Sequence, residues 1–543
     1  MNRMNQILET ADAAIQAAPR NNANRTITNA VLCGLAACAV ATAQWTPITP
    51  MIAPSYRSSA ATGPDGRIYL TGGSTGYYPS LSNAYRYDPV ATTWAPVANM
   101  NQVRESHATV TGCDGLIYVI GGLDHWRPPS FNRVGTVESY NTATNQWTYQ
   151  PSLVGAYDYV VAAVDRACQI HAFGINYSNP NSFVEEVFAG GVWNAGGTYP
   201  INDEIYGAVS AHNGSIYLLG WSQYYQWDGN IWAPQGFTPW PRGFSSTLGV
   251  DGKVYMLGGA TNEFSANFVT QTPAMKFGSN KDTSYYMQSL GNGTAATAAG
   301  RVFSLGGAQT GQVEAYSPMK AAVGPYEFWW KTVNGSAYSQ YTTFCNAGSP
   351  SVTSLNRVPG RVDSAVRFDG SPSAPGLSFP STCSPQIADG DFTIEFWMKQ
   401  NGAGTAVQSI LDKRSANAGR GYHVWFYTVT NQVYLQTNDG SGPRTVTSTI
   451  PIPLNTWTHV AITVSRTGGR GAIWVNAVKN QPDFVPMTGS FLTSEPLTVG
   501  TRNSANFGGA DFNGALDEIT FYKRALTFPE VRSIFLAGAQ GKQ

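Results

Sequence analysis

The sequence is poor in charge. Only 12% of its 543 residues are Asp, Glu, Lys or Arg, and 33 basic residues balance 33 acidic ones. Because the chain has neither a net charge nor a basic block, its composition argues against nucleic acid as a partner. No apolar run reaches the roughly 18 residues that a membrane-spanning helix needs, so we expect no transmembrane segment in the mature chain.

The longest apolar stretch is short and lies near the N-terminus. It covers residues 30–40, follows two arginines and precedes Ala41-Thr42-Ala43. A basic region, an apolar region and an Ala-x-Ala site indicate a signal peptide. We therefore expect residues 1–43 to be a signal peptide with a long leader, and the protein to be secreted or held at the extracellular surface. Two alternatives stay open, a lipoprotein cleavage box at 35–38 and an uncleaved anchor.

Glycine and aromatic residues are abundant in the chain. Both recur in one repeated sequence motif, here called the phrase. This phrase consists of an apolar residue, an aromatic residue, two further residues and Gly. It occurs six times, at intervals of about 40–50 residues, which are typical of repeat architectures. The copies cover residues 68–73, 117–122, 170–174, 216–220, 254–259 and 302–307. Asp-Gly or Asn-Gly precedes four copies and favours a tight hairpin. Tyr with Trp seven residues later follows three copies, so we expect four short strands per unit.

This ordered set of turn, phrase, Tyr and Trp resembles the kelch repeat. The resemblance covers about residues 44–320 and implies a six-bladed kelch β-propeller. The third unit departs from the pattern, because His171 stands at the aromatic position. The sixth unit has Tyr316 but lacks the Trp, and Trp45 near the N-terminus supplies one. We therefore expect the N-terminal strand to complete the last blade, which removes an open sheet edge.

After a short linker at residues 321–324 the strand pattern changes. Apolar and polar residues alternate over 391–399, 457–464 and 471–476, which is typical of a β-sandwich. These strands, together with residues 512–522, resemble a laminin-G-like, concanavalin-A-like jelly roll that covers residues 325–543. The whole chain is therefore expected to be all-β, with a propeller followed by a jelly-roll β-sandwich.

The jelly-roll resemblance implies one metal. In such folds a structural calcium often lies beside the last strand, and Asp517 matches the position of an acidic ligand, with Asp369 as a second. The alternative is that both are ordinary carboxylates at a turn and a strand edge. No other cofactor is expected.

Four cysteines lie outside the expected signal peptide, and an even number in a secreted chain favours disulfides. Cys345 and Cys383 are expected to pair at the start of the second domain. Cys113 and Cys168 both fall at the turn before the repeated phrase, in neighbouring units, so a bridge is feasible, with free thiols as the alternative.

The kelch resemblance also implies a binding site. In a propeller the innermost strand of each blade lines a central channel. In each unit, the residue four positions before a small residue of that strand is expected to face one mouth of the channel. Choosing one small residue by eye in each unit gives Arg57, Arg104, Asp158, Glu204, Arg242 and Asn292. Because Arg presents a fork of donors, such a funnel suits carboxylates and acidic sugars. The alternative is that these charges pair with one another across the blades.

These features predict a monomeric binding protein that recognises glycans or extracellular proteins, through the propeller mouth, the jelly roll or both. One alternative is a kelch-type carbohydrate-active enzyme of the oxidase or sugar isomerase class, and another is a purely structural matrix protein. Whether the chain is an enzyme stays open, with binding favoured. A copper site of the kelch type would need paired histidines, and the sequence has no adjacent pair.

Overall fold

The structure is a computed structural model in which residues 45–543 form one compact unit. It describes residues 45–53, 56–76, 79–127, 130–157, 159–175, 183–199, 205–220, 223–227, 229, 231–237, 244–258, 266–271, 274–278, 294–305, 313–316, 320–321, 323–324, 328–331, 339–342, 356–371, 376–402, 407–415, 419–480, 483–503 and 510–542. The expected signal peptide therefore lies outside the described residues.

The first half is a β-propeller of six four-stranded antiparallel blades. Its strands are β1 (Trp45–Pro47), β2 (Ser59–Thr62), β3 (Ile68–Thr71), β4 (Ala84–Asp88), β5 (Thr93–Pro96), β6 (Ala108–Thr111), β7 (Ile117–Ile120), β8 (Leu123–Arg127), β9 (Ser130–Arg133), β10 (Val137–Asn141), β11 (Gln146–Gln150), β12 (Val160–Val164), β13 (Ile170–Ile175), β14 (Phe183–Ala189), β15 (Val192–Tyr199), β16 (Ile205–Ser210), β17 (Ile216–Gly220), β18 (Gln223–Trp227), β19 (Trp232–Phe237), β20 (Phe244–Leu248), β21 (Lys253–Gly258), β22 (Ala266–Gln271), β23 (Ala274–Gly278), β24 (Thr294–Ala298), β25 (Arg301–Leu305) and β26 (Val313–Tyr316). Blade 1 is β2–β5, and blade 2 is β6, β7, β10 and β11, with β8 and β9 as an added hairpin. Blades 3, 4 and 5 follow in order from β12 to β23.

The N-terminal strand closes the ring. Blade 6 consists of β24, β25, β26 and β1, and β1 pairs antiparallel with β26, with Trp45 opposite Tyr316 and Pro47 opposite Glu314. The innermost strands β2, β6, β12, β16, β20 and β24 contact one another in a closed cycle around a central channel. The propeller expected from the repeat is thus confirmed.

The hairpin into β3 shows why the Asp-Gly turn and the aromatic residue recur together. Asp65 Oδ1 accepts a hydrogen bond from the Arg67 backbone N–H (3.2 Å), and Gly66 adopts the positive φ (77°) that the turn requires. Asp65 Oδ2 accepts from the hydroxyl of Tyr69 (2.8 Å), and the same Tyr-to-Asp hydrogen bond recurs in blades 2 and 5. The aromatic residue of the phrase therefore fastens the turn to the strand that follows it.

In blade 3 a histidine takes the place of this tyrosine. His171 Nδ1 lies 2.6 Å from Glu185 Oε1, and Nε2 lies 3.6 Å from Asp165 Oδ2. Burial acts to lower the pKa of His171, but hydrogen bonds to Asp165 and Glu185 outweigh it and raise the pKa to about 9. The third unit therefore holds its turn with a charged imidazole where blades 1, 2 and 5 use a neutral phenol.

We expect this histidine to make the stability of the propeller depend on pH. Its pKa is about 9 in the folded chain and about 6.5 in an unfolded one. The stabilisation is therefore complete below pH 6.5 and is lost as the pH rises through 9, by about 3 kcal/mol. Urea unfolding at pH 6, 7.5 and 9.5 measures the loss, and His171→Gln should remove this part of it. Equal pH dependence in the variant and the parent would contradict the assignment.

The second half is a β-sandwich with a helix at its end. Its elements are β27 (Phe328–Lys331), β28 (Ser339–Thr342), β29 (Asn356–Pro359), β30 (Ser364–Asp369), β31 (Leu377–Phe379), β32 (Phe392–Gln400), β33 (Val407–Arg414), β34 (Gly421–Tyr427), β35 (Gln432–Asn438), β36 (Arg444–Thr447), β37 (Thr458–Ser465), β38 (Arg470–Val475), β39 (Val478–Lys479), β40 (Leu497–Val499), β41 (Ala510–Asp511), β42 (Asn513–Tyr522) and α1 (Phe528–Ala537), with short 3₁₀ turns at Ser381–Cys383 and Gly538–Gln540. The inner sheet has the order β28-β27-β42-β32-β37-β38-β39, with β29 and β30 at its side. The outer sheet has the order β31-β40-β33-β34-β35-β36, with β41 beside β33. Their facing apolar side chains form one core, which confirms the jelly-roll expectation.

The two halves share a further apolar cluster, so their cores are not separate. It joins Tyr118 of the propeller with Trp474 of the inner sheet and with Phe528 and Leu536 of α1. α1 begins at Thr527 with a capping box completed by Glu530. The Leu536 carbonyl accepts a hydrogen bond from the Gly300 N–H in blade 6 (2.7 Å). The hairpins between the first two strands of each blade lie at one end of the propeller. The helix therefore packs against that end.

One disulfide links Cys113 to Cys168 and joins the hairpin turns of blades 2 and 3. This pairing was one of the two alternatives left open by the sequence, and it is confirmed. Cys345 lies outside the described residues, and only the backbone of Cys383 is described. The second expected pair therefore stays a prediction.

Candidate functional site

The mouth of the channel away from α1 opens into a cavity of about 310 Å³, here called the mouth cavity. Its rim carries Arg57, Ser106, Tyr159 and Ile205, and His107 lines its wall. His107 is buried, and burial together with the nearby Arg104 keeps its pKa well below the usual range for histidine. Around the described rim Arg57 is thus the one permanent cation.

The residues at the rim differ from those predicted, because the strands pair in a different register from the one that the alignment of small residues assumed. Ala61 pairs with Tyr69 of the repeated phrase. The residues that pair with the equivalent aromatic position, or with His171 in blade 3, are Val110, Ala163, Val209, Thr247 and Ala296. The alignment by small residues was therefore displaced by two positions in unit 2 and by one in units 3, 4 and 5. The equivalents of Arg57 in blades 2 to 4 are the rim residues Ser106, Tyr159 and Ile205.

The expectation that Arg104 faces the mouth is wrong. Its side chain is completely buried between blades 1 and 2, where Nη2 donates to Glu138 Oε1 (2.8 Å) and Nη1 donates to the carbonyls of Gly121 and Thr136. Burial acts to lower the pKa of Arg104 and Glu138 offsets part of that effect. Arg104 therefore holds the ring together and offers nothing to a ligand.

Arg57 does reach the mouth, but its charge is matched. Nη1 lies 2.8 Å from Glu105 Oε1, and the same oxygen lies 2.6 Å from His125 Nδ1. The ion pair crosses from blade 1 to blade 2, but Glu105 is not one of the six residues predicted for the mouth, so the alternative that those six pair with one another is not what the described residues show. Asp158, Glu204, Arg242 and Asn292 lie outside the described residues, so none of the four is tested directly. The register shift in units 3, 4 and 5 removes the alignment that placed the first three at the mouth, whereas the alignment for Asn292 in unit 6 is kept.

The described part of the propeller does not bring its histidines together. His125 contacts Glu105, His171 contacts Glu185, and His212 Nε2 lies 2.7 Å from Ser533 Oγ on α1. Residues 72–76 read Gly-x-Ser-x-Gly, but Ser74 is buried and its Oγ donates to the Gly76 carbonyl (2.6 Å). Because no helix follows this serine, the turn is not a nucleophile elbow.

The expected calcium ligands lie apart. Asp369 pairs with Asn513 across β30 and β42, and Asp517 lies four residues further along β42, roughly 13 Å away at the rise of a strand. Asp517 Oδ2 accepts from the Val362 N–H (2.8 Å), whereas Asp369 Oδ1 accepts from the Ser371 N–H in its own turn (2.9 Å). Among the described residues no group of three or more His, Cys, Asp or Glu side chains is arranged to hold a metal ion. The two carboxylates therefore do not form one calcium site.

The most distinctive surface is on the solvent side of the outer sheet. Trp425 and Tyr434 are directly opposite each other on β34 and β35, and their rings stack with centroids 4.0 Å apart and planes 12° apart. Tyr427 stands almost perpendicular to both rings, with centroids 6.1 Å away. All three are half-buried. We call Trp425, Tyr427 and Tyr434 the aromatic face.

A polar network borders the aromatic face. Arg414 donates through Nε and Nη2 to Asp412 (2.9 and 2.7 Å) and through Nη1 to Gln436 Oε1 (3.0 Å). Next to it, His423 Nε2 lies 3.1 Å from Ser409 Oγ, and burial lowers the pKa of His423 to about 3, so its ring is neutral. His423 and Ser409 are buried, so the polar group that the surface itself offers here is the half-buried amide of Gln436. Aromatic rings beside a fixed amide suit a ligand with both apolar and hydroxyl surface.

The aromatic face was missed in the sequence, although a signal was present. The alternation in β34 sends Tyr422, Val424 and Phe426 into the sandwich core. The intervening Trp425 and Tyr427 must then point to solvent. Two large aromatic residues at neighbouring solvent-facing positions form an exposed apolar patch, which indicates a binding surface.

Comparison with known proteins agrees with the fold. A family model described as "Kelch motif" matches residues 56–101 and 106–154, and one described as "Concanavalin A-like lectin/glucanases superfamily" matches residues 373–532. No curated protein matches the sequence. Among solved structures, one titled "Structure of YjhT" is 13% identical, with a TM-score of 0.38, and the match covers 50% of this chain and 95% of that one. The chain thus contains kelch motifs in a propeller and a laminin-G, concanavalin-A-like domain.

This combination of domains indicates a binding or protein-interaction role. Among the described residues, no helix has the length and apolar character needed to cross a membrane.

Proposed function

We propose that the protein binds glycans outside the cell and that the aromatic face is its carbohydrate-contacting surface. The observation that carries this proposal is the contact among Trp425, Tyr427 and Tyr434 on the solvent side of the outer sheet. The C–H edges of a sugar ring are weakly positive, so they pack favourably against the negative faces of aromatic rings. The hydroxyl groups of the same sugar need fixed polar partners. Thr447 lies opposite Tyr434, and Thr445 lies opposite Gln436, so these three polar side chains are placed next to the aromatic face.

The placement of this surface supports the proposal. The inner sheet is covered by α1 and the propeller, as the shared cluster around Trp474 and Phe528 shows. The aromatic face is on the opposite sheet, where its rings keep part of their area in contact with solvent. Half-exposed Trp and Tyr side chains are typical of binding surfaces, because they offer large contact areas with few rotatable bonds.

Secretion is part of the proposal and rests on different observations. The sequence before Gln44 has the pattern of a signal peptide. The Cys113–Cys168 disulfide is of the kind that persists in oxidising compartments. An extracellular location would also bring the protein to its glycans.

A glycan array with the full chain, followed by calorimetry on the best glycan, tests the proposal. Trp425→Ala should weaken binding by about 2 kcal/mol, or roughly 30-fold, because it removes a central aromatic contact. Tyr434→Phe keeps the ring and should bind nearly as the parent does, whereas Tyr434→Ala should resemble Trp425→Ala.

Tyr149→Ala is the matched control, since Tyr149 is an exposed aromatic residue on blade 2, with 54% of its surface accessible. It should leave glycan binding unchanged. If no glycan binds, or if Trp425→Ala binds as well as the parent, the aromatic face is not a carbohydrate site. Loss of binding in Tyr149→Ala alone would move the site to the propeller.

A further inference from the structure

The end of the channel that α1 covers contains a second, smaller space. This chamber has a volume of about 170 Å³ and is lined by all six innermost strands and by α1. It shares wall residues such as Ala60, Ala162 and Ala295 with the mouth cavity, so the two spaces follow one another along the channel. The channel is therefore entered from the open mouth and has α1 as its floor.

One cation lies in this chamber. Arg532 projects from α1, and its Nη2 donates to the Thr62 carbonyl of blade 1. The ring of Phe528 on the same helix lies 5.8 Å from its guanidinium carbon. No carboxylate of the described residues forms an ion pair with Arg532, and none lines the chamber. One carbonyl satisfies one of the five N–H donors of a guanidinium.

The walls around Arg532 are uncharged, and most of their donors are already in use. Thr62 and Thr111 donate their hydroxyl protons to carbonyls of the neighbouring innermost strand (both 2.7 Å), and Thr297 does the same (2.8 Å). Ser210 accepts from the Val164 N–H (3.0 Å), so its own proton points elsewhere. The rest of the described lining is mostly apolar, with alanine, valine and leucine side chains, Phe528 and Pro529, and it also includes Ser246 and Ser533.

A guanidinium without a carboxylate partner lowers the stability of the fold when the groups around it are uncharged and largely apolar. Burial alone lowers the pKa of Arg532, to about 10, so the group is still charged at neutral pH. Its remaining donors form a rigid fork that matches the two oxygens of a carboxylate. Because Arg532 is the one cation among the described residues that line the chamber, a monoanion balances its charge, whereas a dianion would leave one negative charge uncompensated.

We propose that the chamber binds a small carboxylate, which enters through the open mouth and is held by the guanidinium of Arg532 at the floor of the channel. The methyl-rich wall suits the apolar part of such a molecule, and the hydroxyl of Ser210 is the second donor. This site belongs to the propeller channel and is independent of the aromatic face.

Thermal unfolding of the full chain at pH 7 in rising sodium acetate, with sodium chloride and sodium sulfate at equal ionic strength, tests the proposal. Acetate should raise the unfolding temperature along a saturating curve, as ligand binding requires, and calorimetry should give the same dissociation constant. Sulfate should give no saturating rise. No saturating rise with acetate, or an equal one with sulfate, would overturn the proposal.

Two variants locate the site. Arg532→Met keeps the length of the side chain and should weaken acetate binding at least tenfold. In acetate-free buffer it should be as stable as the parent or more so, because it removes a half-buried charge that no described carboxylate neutralises. Arg532→Lys keeps the charge without the fork and should bind more weakly than the parent. Arg57→Gln, at the opposite end of the channel, should bind within twofold of the parent. Unchanged binding in both Arg532 variants, or loss in Arg57→Gln alone, would place the anion elsewhere.

Discussion

Replacing Lys542 with Gln should lower the free energy of unfolding by about 3–5 kcal/mol, the range for breaking a buried ion pair. The Lys542 ammonium is buried on the inner sheet, 2.7 Å from Glu395 Oε1 and 3.3 Å from Glu518 Oε2. It also lies 5.6 Å from the centre of the Trp329 ring. Without it, two buried carboxylates would face each other with no permanent cation between them.

The charge on Glu395 makes this effect large. Burial acts to raise the pKa of Glu395, but Lys542 and His459 outweigh burial and keep it below the usual value. Guanidinium unfolding of the parent, of Lys542→Gln and of the double variant with Glu395→Gln measures the coupling, because the double variant removes both charges and should recover part of the loss. Lys253→Gln is the control, since Lys253 pairs with Asp251 near the surface and should change stability by less than about 1 kcal/mol. If Lys542→Gln also lowered the free energy of unfolding by less than about 1 kcal/mol, the ion pairs of Lys542 would not have the expected stabilising role.

The propeller could be predicted because each of its signals is local. Asp65, Gly66 and Tyr69 lie within five positions of one another, and their hydrogen bond forms inside one hairpin. The same short unit recurs around the ring, so every copy adds to the inference. The third unit departs from the sequence pattern, yet His171 lies 3.6 Å from Asp165 and so keeps the contact to an acidic residue of the turn, with an imidazole in place of a phenol.

The mouth was harder to predict because its residues depend on register. A small residue such as Ala108 or Ala162 is a weak marker, since small residues recur along the innermost strands and a shift by one position turns every side chain to the other face. The pairing of Ala61 with Tyr69, and of Ala163 with His171, sets the register. An alignment anchored on the aromatic position would have given Ser106 and Tyr159.

The closed end of the channel could not be predicted from any local pattern. Contacts such as that of Ser533 with His212 join residues more than 300 positions apart. Nothing in the sequence of α1 indicates that this helix packs against the propeller. The chamber and Arg532 follow from that packing alone.

Deleting residues 45–51 should destabilise the propeller by more than the few kcal/mol that one large core truncation costs. The deletion removes β1 and leaves β26 as an open edge, which also favours aggregation. The segment spans two blades, because Thr49 donates to the Thr92 carbonyl (2.7 Å) and the Trp94 indole N–H donates to the Thr49 carbonyl (3.2 Å) in blade 1. Its loss therefore breaks the ring at the junction of blades 6 and 1.

Two neighbouring residues separate ring closure from a general effect of shortening the chain. Met51 is 7% exposed and packs in the cluster between blades 6 and 1, so Met51→Ala should cost about 2–5 kcal/mol. Ile52 is 55% exposed, so Ile52→Ala should change stability by no more than about 0.5 kcal/mol. Calorimetric unfolding and size-exclusion chromatography of the three variants measure these effects. An unchanged unfolding temperature in the deletion would mean that the ring holds without the β1–β26 ladder and without the packing of Met51 between blades 6 and 1.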